Sequence, residues 1–326
     1  MKLLVTGGAG FIGSCFIRQM LSKHPDYKII NLDSLTYAGN IENLDDVNNN
    51  PNYTFVHGCI CDKKLVPQLV ENVDAVINFA AESHVDRSIT GPEVFIDTNV
   101  KGTLNLLQAA KEFKIQRYLQ VSTDEVYGSL GATGYFHETT PIAPNSPYSA
   151  SKASADMLVR AYFETYGMPV LTTRCSNNYG PYQYPEKLIP FFISQLLKGE
   201  KVPVYGDGLN VRDWLYVYDH CSAIDTVLHK GKVGEVYNIG GHNEKTNMEI
   251  THLILEAMGK DENSIKYVED RLGHDKRYAI CNDKIQSELG WKPSITFEEG
   301  IKLTIDWYLN NQSWIKSIEH KKASLV

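Results

Sequence analysis

The chain has 326 residues, 43% of them hydrophobic, enough to bury a sizeable core as two domains or as one large α/β unit with an appended lobe. Its formal net charge of −7 and pI of about 5.8 exclude a general nucleic-acid surface, so an anionic ligand needs cations gathered locally at its site. The apolar start of the chain is too short for a signal peptide and no apolar run approaches the roughly 18 residues of a membrane span, which makes the cytoplasm the expected compartment and a membrane partner unexpected.

Leu3 to Thr6 reads as a short strand that runs straight into Gly7-Gly8-Ala9-Gly10-Phe11-Ile12-Gly13, after which apolar residues recur at helical spacing to Leu21. In a strand, glycine turn, helix sequence the glycines permit a tight turn and close approach of a pyrophosphate, and the helix N-terminus offers free N–H groups. The next strand, Lys28 to Leu32, ends at Asp33, about twenty residues beyond Gly13, where a carboxylate accepts from an adenosine ribose and repels a 2′-phosphate. That pattern favours NAD over NADP. Cys15, Cys59, Cys61, Cys175, Cys221 and Cys281 include no Cys-x-x-Cys pair and have no close His partner, so they are expected to be reduced structural thiols, with no metal site.

Further strands are expected at Tyr53 to His57, Ala75 to Phe79, Arg117 to Val121 and Pro169 to Thr173, with helices at about Leu65 to Glu71, Glu93 to Phe113 and Tyr148 to Tyr166. Such alternation implies a Rossmann-type doubly wound parallel sheet in an α/β fold. After the fourth strand, Ala80 and Ala81 leave room for a dinucleotide and Glu82 to Ser88 form a polar cluster; His84 there reads as a loop histidine more readily than as a substrate contact. Ser122-Thr123-Asp124-Glu125 follows the fifth strand, at the depth where ligands collect beyond strand ends. Tyr148 and Lys152 share one helix face.

Beyond Gly180 the alternation loosens into a smaller, mixed α/β C-terminal lobe. Lys187 opens a helix to about Leu197, Pro203 to Tyr205 is extended, Arg212-Asp213-Trp214 precedes a return of the chain to the sheet at Val236 to Ile239, and Asn247 starts an amphipathic helix ending near Met258. Asp270 to Arg277 is a charged turn, Phe297 to Leu309 is the last packed helix, and the tail after Trp314 is expected to be disordered. The expected division is 1–176 with about 211–241 as the NAD-binding domain, and about 177–210 with 242–326 as the substrate lobe.

In joint order and spacing, Gly7 to Gly13, Ala80 to Ser88, Thr123 to Gly128, Tyr148 to Lys152, Ser176 to Pro181, Glu186 to Pro190 and Asp270 to Asp275 resemble the extended short-chain dehydrogenase/reductase family, and within it the nucleotide-sugar 4,6-dehydratases. The likeness covers nearly the whole chain. It implies a tightly bound NAD, regenerated each turnover, in contact with Gly7, Gly10, Phe11, Ile12, Gly13, Asp33, Ser34, Leu35, Thr36, Ile60, Ala80, Ala81, Ser83, Thr98, Tyr148, Lys152 and Asn178. It implies dTDP-glucose beside Ser83, Thr123, Asn177, Lys187, Leu188, Pro203, Val204, Tyr205, Arg212, Asn247, Asp270, Arg271 and His274. Lys187, Arg212 and Arg271 are the cations that an acidic protein needs around a diphosphate. A homodimer, formed through the helices near Glu93 to Phe113 and Tyr148 to Tyr166, and a place in deoxysugar biosynthesis such as the rhamnose pathway are implied in the same way.

The chemistry expected of these groups is a dehydration. Tyr148 takes the C4 hydroxyl proton with help from Lys152 and Thr123, Glu125 removes the C5 proton, and Asp124, kept protonated beside an ionised Glu125, donates to the departing C6 hydroxyl. A 4-epimerase has no need of the Asp-Glu pair, and UDP-glucuronate decarboxylases and GDP-mannose dehydratases usually carry Ser at the position of Asp124. A non-catalytic NAD-bound sensor usually lacks the Tyr or the Lys. Three residues depart from the family pattern: Cys59 for an Asp that reaches the adenine amine, Leu272 for a Pro and Cys281 for an Asp.

Overall fold

A computed structural model of the chain describes residues 1–270 and 273–324. The first six strands are β1 (Lys2–Thr6), β2 (Lys28–Asp33), β3 (Tyr53–His57), β4 (Ala75–Asn78), β5 (Arg117–Thr123) and β6 (Val170–Cys175). The second half adds β7 (Asn177–Tyr179), β8 (Val202–Tyr205), β9 (Val211–Tyr216), β10 (Val236–Ile239), β11 (Glu244–Thr246) and β12 (Ile265–Val268). Seven of them form one parallel sheet in the order β10-β6-β5-β4-β1-β2-β3, the expected Rossmann-type arrangement. The order reverses between β1 and β4, where Val5 lies level with both Asn31 and Ile77, and a crevice for ligands opens there.

All residues of β4 and β6 are buried because helices cover both faces of the sheet, which is why neither sequence alternates; β4 is apolar up to Asn78, and in β6 Thr172, Thr173 and Arg174 are buried beside Val170 and Leu171. The helix Phe11–Lys23 buries Cys15, Phe16, Ile17, Met20 and Leu21, each large side chain contributing about 1.5–3 kcal/mol, and packs against the helix Val217–Lys230. The helix Pro147–Tyr166 is delimited by its own sequence: Ser146 and Ser149 form a reciprocal capping box, Pro147 opens the first turn, and Gly167 closes the end at φ 63°.

Two expectations need correction. The helix foreseen from Glu93 to Phe113 is interrupted by a π-helical stretch, Ile96–Gly102, between Glu93–Phe95 and Thr103–Glu112. Asn99 within it bonds the Glu82 backbone in both directions, at 2.9 and 3.0 Å, and reaches the Ser151 hydroxyl at 2.8 Å; such wider i→i+5 turns are found inside α-helices mostly at functional sites. The described part of the tail, to Ser324, is not disordered either. A helix spans Gln312–Ser324 and buries Trp314, Ile315 and Ile318, while the Trp314 indole donates to Asn43 at 2.9 Å and the Ser317 hydroxyl donates to Glu42 at 2.6 Å.

The C-terminal lobe holds a three-stranded sheet, β11-β9-β7, and a two-stranded parallel pair, β12-β8; β12 had no counterpart in the sequence reading. β9 serves two cores by simple alternation. Trp214 and Tyr216 belong with Tyr179, Phe192, Phe297 and Tyr308 in the lobe core, and Leu215 with Leu171 and Ile239 under the main sheet. The lobe therefore closes directly over the crevice.

Candidate active site

A cavity of about 460 Å³ lies beyond the ends of β1, β2, β4, β5 and β6. The glycine turn forms one wall. Gly7 has φ 70°, and a Cβ there would stand 2.6 Å from the Ala80 nitrogen; a Cβ on Gly13 would stand 2.4 Å from the Gly7 carbonyl oxygen. Gly10 has only the Gly7 oxygen near an added Cβ, at 3.2 Å, and the helix it begins has no side-chain cap. A bare glycine surface at an uncapped helix N-terminus suits a pyrophosphate. Asp33 is almost fully buried and accepts from the Ala9 N–H at 2.9 Å and the Leu35 N–H at 2.8 Å; burial raises its pKa against those two bonds. These residues fit a dinucleotide.

At the other end stand the reactive groups. Thr123 ends β5, and its hydroxyl accepts from the Glu125 N–H at 3.2 Å and donates to Asp124 Oδ1 at 3.3 Å. The Asp124 side chain is 1% exposed, and Oδ2 has no hydrogen-bond partner among the described residues. Burial, then Glu125 and Asp213, holds its pKa well above the carboxylate range. Asp213 is itself buried, accepting from the Gly241 and Asn243 N–H groups at 3.0 and 2.7 Å. No local signal in the sequence ties Asp213 to Asp124.

Tyr148 and Lys152 line the same cavity. Burial, then Glu125 and Cys175, pushes the Tyr148 phenol well up, partly opposed by the Thr123 hydroxyl. The Lys152 ammonium donates to the Val121 carbonyl at 2.8 Å, and burial lowers its pKa. Burial thus outweighs the lowering that the Thr123 hydroxyl supplies.

Of the residues expected around the cofactor, the cavity gathers Gly7, Gly10, Phe11, Ile12, Gly13, Asp33, Ser34, Thr36, Ile60, Ala80, Ala81, Ser83, Thr98, Tyr148, Lys152 and Asn178. Leu35 is not on its wall and sits at φ 48° with its N–H on Asp33. Of those expected around the substrate, Ser83, Thr123, Asn177 and Lys187 line it, with the Lys187 ammonium on the Ser83 carbonyl at 2.9 Å. Leu188, Pro203, Val204, Tyr205, Arg212, Asn247, Asp270 and His274 are not on the wall of this cavity. Val204 is buried in the lobe core, Asn247 bonds the Asn210 carbonyl through its N–H at 3.0 Å, and Arg212 donates to the Asp275 carbonyl at 2.9 Å while lying 4.3 Å over the Tyr278 ring. His274 meets Asp270 at 2.6 Å and faces Tyr205 with ring centroids 6.4 Å apart. Arg271 and Leu272 lie outside the described residues. His84 caps the helix Val85–Thr90, the loop role expected of it.

The sequence reading missed a cluster at the cavity mouth. The Tyr37 hydroxyl donates to Glu186 at 3.0 Å, Arg87 lies 3.6 Å from the Tyr37 ring centroid and 3.8 Å from Glu186, and His84 stands 3.9 Å from Glu186. Tyr37 sits in a polar loop with no periodicity to betray it.

The profile of the GDP-mannose 4,6 dehydratase family matches residues 4–304. A dTDP-glucose 4,6-dehydratase of Xanthomonas campestris pv. campestris is 56% identical, over 97% of this chain and 95% of the relative. The chain belongs to the dTDP-glucose 4,6-dehydratase family. Two solved dTDP-glucose 4,6-dehydratases have the same fold: the enzyme of Streptomyces venezuelae with NAD bound, at a TM-score of 0.95 and 53% identity over 96% of this chain and 98% of that one, and the enzyme of Bacillus anthracis in complex with NAD, at 0.92 and 56% over 98% and 99%. No helix among the described residues is long and apolar enough to cross a membrane.

Proposed function

We propose that the chain is an NAD-dependent hydro-lyase that converts dTDP-glucose to dTDP-4-keto-6-deoxyglucose and water. The observation that carries this reading is the convergence of Tyr148, Lys152, Thr123, Asp124 and Glu125 in one cavity with the glycine turn and Asp33. When bound, NAD supplies the hydride acceptor, a positive ring beside the phenol, and later the returning hydride. Gly7 to Gly13 hold the pyrophosphate and Asp33 the adenosine ribose.

Tyr148 takes the C4 hydroxyl proton, with Thr123 on the same oxygen. Burial keeps the phenol protonated until positive charge is close, so Lys152, anchored on Val121, matters through where its charge is fixed. Once C4 is a ketone the C5 proton is acidic, and Glu125 removes it; C5 takes back a solvent-exchanged proton as C6 is reduced. Asp124 gives its proton to the departing C6 hydroxyl; its buried Oδ2, unbonded among the described residues, and its raised pKa support that role. Lys187 and Arg212 serve the diphosphate from the lobe side, Lys187 beside Ser83. The proposed division is 1–176 with 211–241 around NAD and 177–210 with 242–326 around the nucleotide sugar, β9 being the wall they share. A cytoplasmic homodimer, joined through the helices near Glu93 to Phe113 and Tyr148 to Tyr166, where Ile96 and Met157 are half-exposed, and a place in deoxysugar synthesis complete the reading.

The test is incubation with dTDP-glucose in deuterated water. A 4-keto-6-deoxy product with solvent deuterium at C5 and no net NADH supports it; the galactose isomer or no product overturns it, and absence of the C5 label removes Glu125 from its role. Sedimentation as a monomer at micromolar concentration rejects the dimer.

A further inference from the structure

The sequence expects every cysteine to be a structural thiol, yet Cys59 is exposed and lines the cofactor cavity. It begins a β-turn closed by the Asp62 N–H on the Cys59 carbonyl at 3.0 Å. Inside the turn the Cys61 N–H donates to Cys59 Sγ at 3.4 Å. Asn105 holds the loop in place, donating to the Ile60 carbonyl at 2.8 Å and the Asp62 carbonyl at 3.2 Å. The Cys61 thiol donates to the Asp97 carbonyl at 3.3 Å, within the π-helical stretch that carries Thr98. One turn therefore presents one sulfur to the cavity and ties the other to a neighbouring wall segment. Residues two apart span at most about 6.6–7.2 Å when fully extended, and a turn draws them closer, into the roughly 4.4–6.8 Å between Cα atoms that a disulfide spans.

We propose that Cys59 and Cys61 are a modification site: a dithiol that a small disulfide such as glutathione disulfide oxidises to an intramolecular disulfide, loosening NAD at the adenosine end of the cavity. The proposal rests on reading the cavity as the NAD site. Cys59, the exposed thiol, attacks as thiolate on one sulfur of glutathione disulfide; that S–S bond breaks, and the departing glutathione thiolate takes up the proton Cys59 gave to solvent. Burial, then Cys59 and Asp97, pushes Cys61 up to about 11, so Cys61 reacts second. Its thiolate attacks Cys59 Sγ and expels the second glutathione, which is protonated in turn. In balance, two cysteines lose two hydrogens and one glutathione disulfide becomes two glutathiones. The new bond draws Cys59 Sγ off the cavity wall and removes the Cys61 tether to Asp97, so Ile60 and Thr98 no longer share one fixed geometry.

The experiment incubates the purified holoenzyme with glutathione disulfide, reads the tryptic peptide ending at Lys63 by mass, and measures NAD retained after gel filtration. The expected result is loss of the mass of two hydrogens from that peptide and roughly tenfold weaker NAD retention, both restored by dithiothreitol. Cys61→Ser should stop at a glutathione adduct on Cys59. A wild-type peptide that stays reduced or carries only the adduct overturns the dithiol, and a disulfide that forms with NAD retention unchanged overturns its effect on the cofactor. A reduced protein that never holds NAD overturns the reading of the cavity instead, because the peptide mass is read independently of NAD.

Discussion

Asp124→Asn separates the acid step from the oxidation. The carboxyl is 1% exposed, accepts one hydrogen bond from Thr123 at 3.3 Å, and has its pKa raised by burial, Glu125 and Asp213. Its neutral form is the comfortable one in the fold, and Asn imitates that form in shape and charge. Because the folded pKa lies above the unfolded value of about 3.9, the native state binds the extra proton in the window above that value, and the wild type loses stability as pH rises through it. Asn carries no such loss, so the variant should melt at or above the wild-type temperature at pH 7. What Asn cannot do is give a proton to the C6 oxygen. General acid assistance is worth roughly 10²–10⁴-fold, or about 2.7–5.5 kcal/mol at 1.36 kcal/mol per decade, and kcat should fall by that factor. Oxidation at C4 does not use this proton, so stopped-flow absorbance with dTDP-glucose should show reduced nicotinamide rising towards the active-site concentration and then decaying slowly. A kcat within roughly threefold of wild type, well short of the general-acid range, or an equal loss in the rate of nicotinamide reduction, would refute the assignment.

Tyr148→Phe should lower kcat by roughly 10²–10⁴-fold without any build-up of reduced nicotinamide, because it removes the base for the first step; build-up like that of Asp124→Asn would count against it. Gly13→Ala puts a Cβ 2.4 Å from the Gly7 oxygen and 2.8 Å from Gly8 Cα, an overpacking expected to cost about 1–3 kcal/mol and to strip NAD on gel filtration; wild-type melting and NAD content would contradict the close-packed turn. Asp225 is 6% exposed and bonded to Lys23, His24 and His229. Burial raises its pKa, but bonds from His229, Lys23 and His24 outweigh this and hold it low, while Asp225 raises His229. The carboxylate's contribution is lost as pH falls below about 3.9, and the histidine's is full below about 6.5 and lost as pH rises through its elevated value. Denaturant titrations should therefore find Asp225→Asn destabilised by about 1.5–3 kcal/mol, most of all between about pH 4 and 6.5; a difference independent of pH would contradict the ionic reading.

What the sequence revealed and what it hid divide along a physical line. The parallel sheet was legible because strands buried on both faces leave unbroken apolar runs, as at Leu3–Val5 and Ala75–Ile77. The site was legible where chemistry is local: glycines at fixed spacing, Tyr148 and Lys152 on one helix face, and Thr123, Asp124 and Glu125 in succession. Local pattern fails wherever a distant segment decides the outcome. The tail is polar enough to look unstructured, and it is Trp314, seated against Asn43 at 2.9 Å, that makes it a helix. The π-helical stretch follows from Asn99 reaching Glu82 and Ser151, not from any feature of its own composition. Ionisation is the sharpest case. Adjacent carboxyls in a sequence say that a shared proton is available, but not which of the two keeps it. Here Asp213 arrives from β9, fixed by two backbone amides, and adds its field to that of Glu125 on a carboxyl already stripped of solvent. Burial and Glu125 come first in raising Asp124, and β9 adds to them through Asp213, so a substitution at Asp213 should disturb the chemistry without touching any residue of the motif.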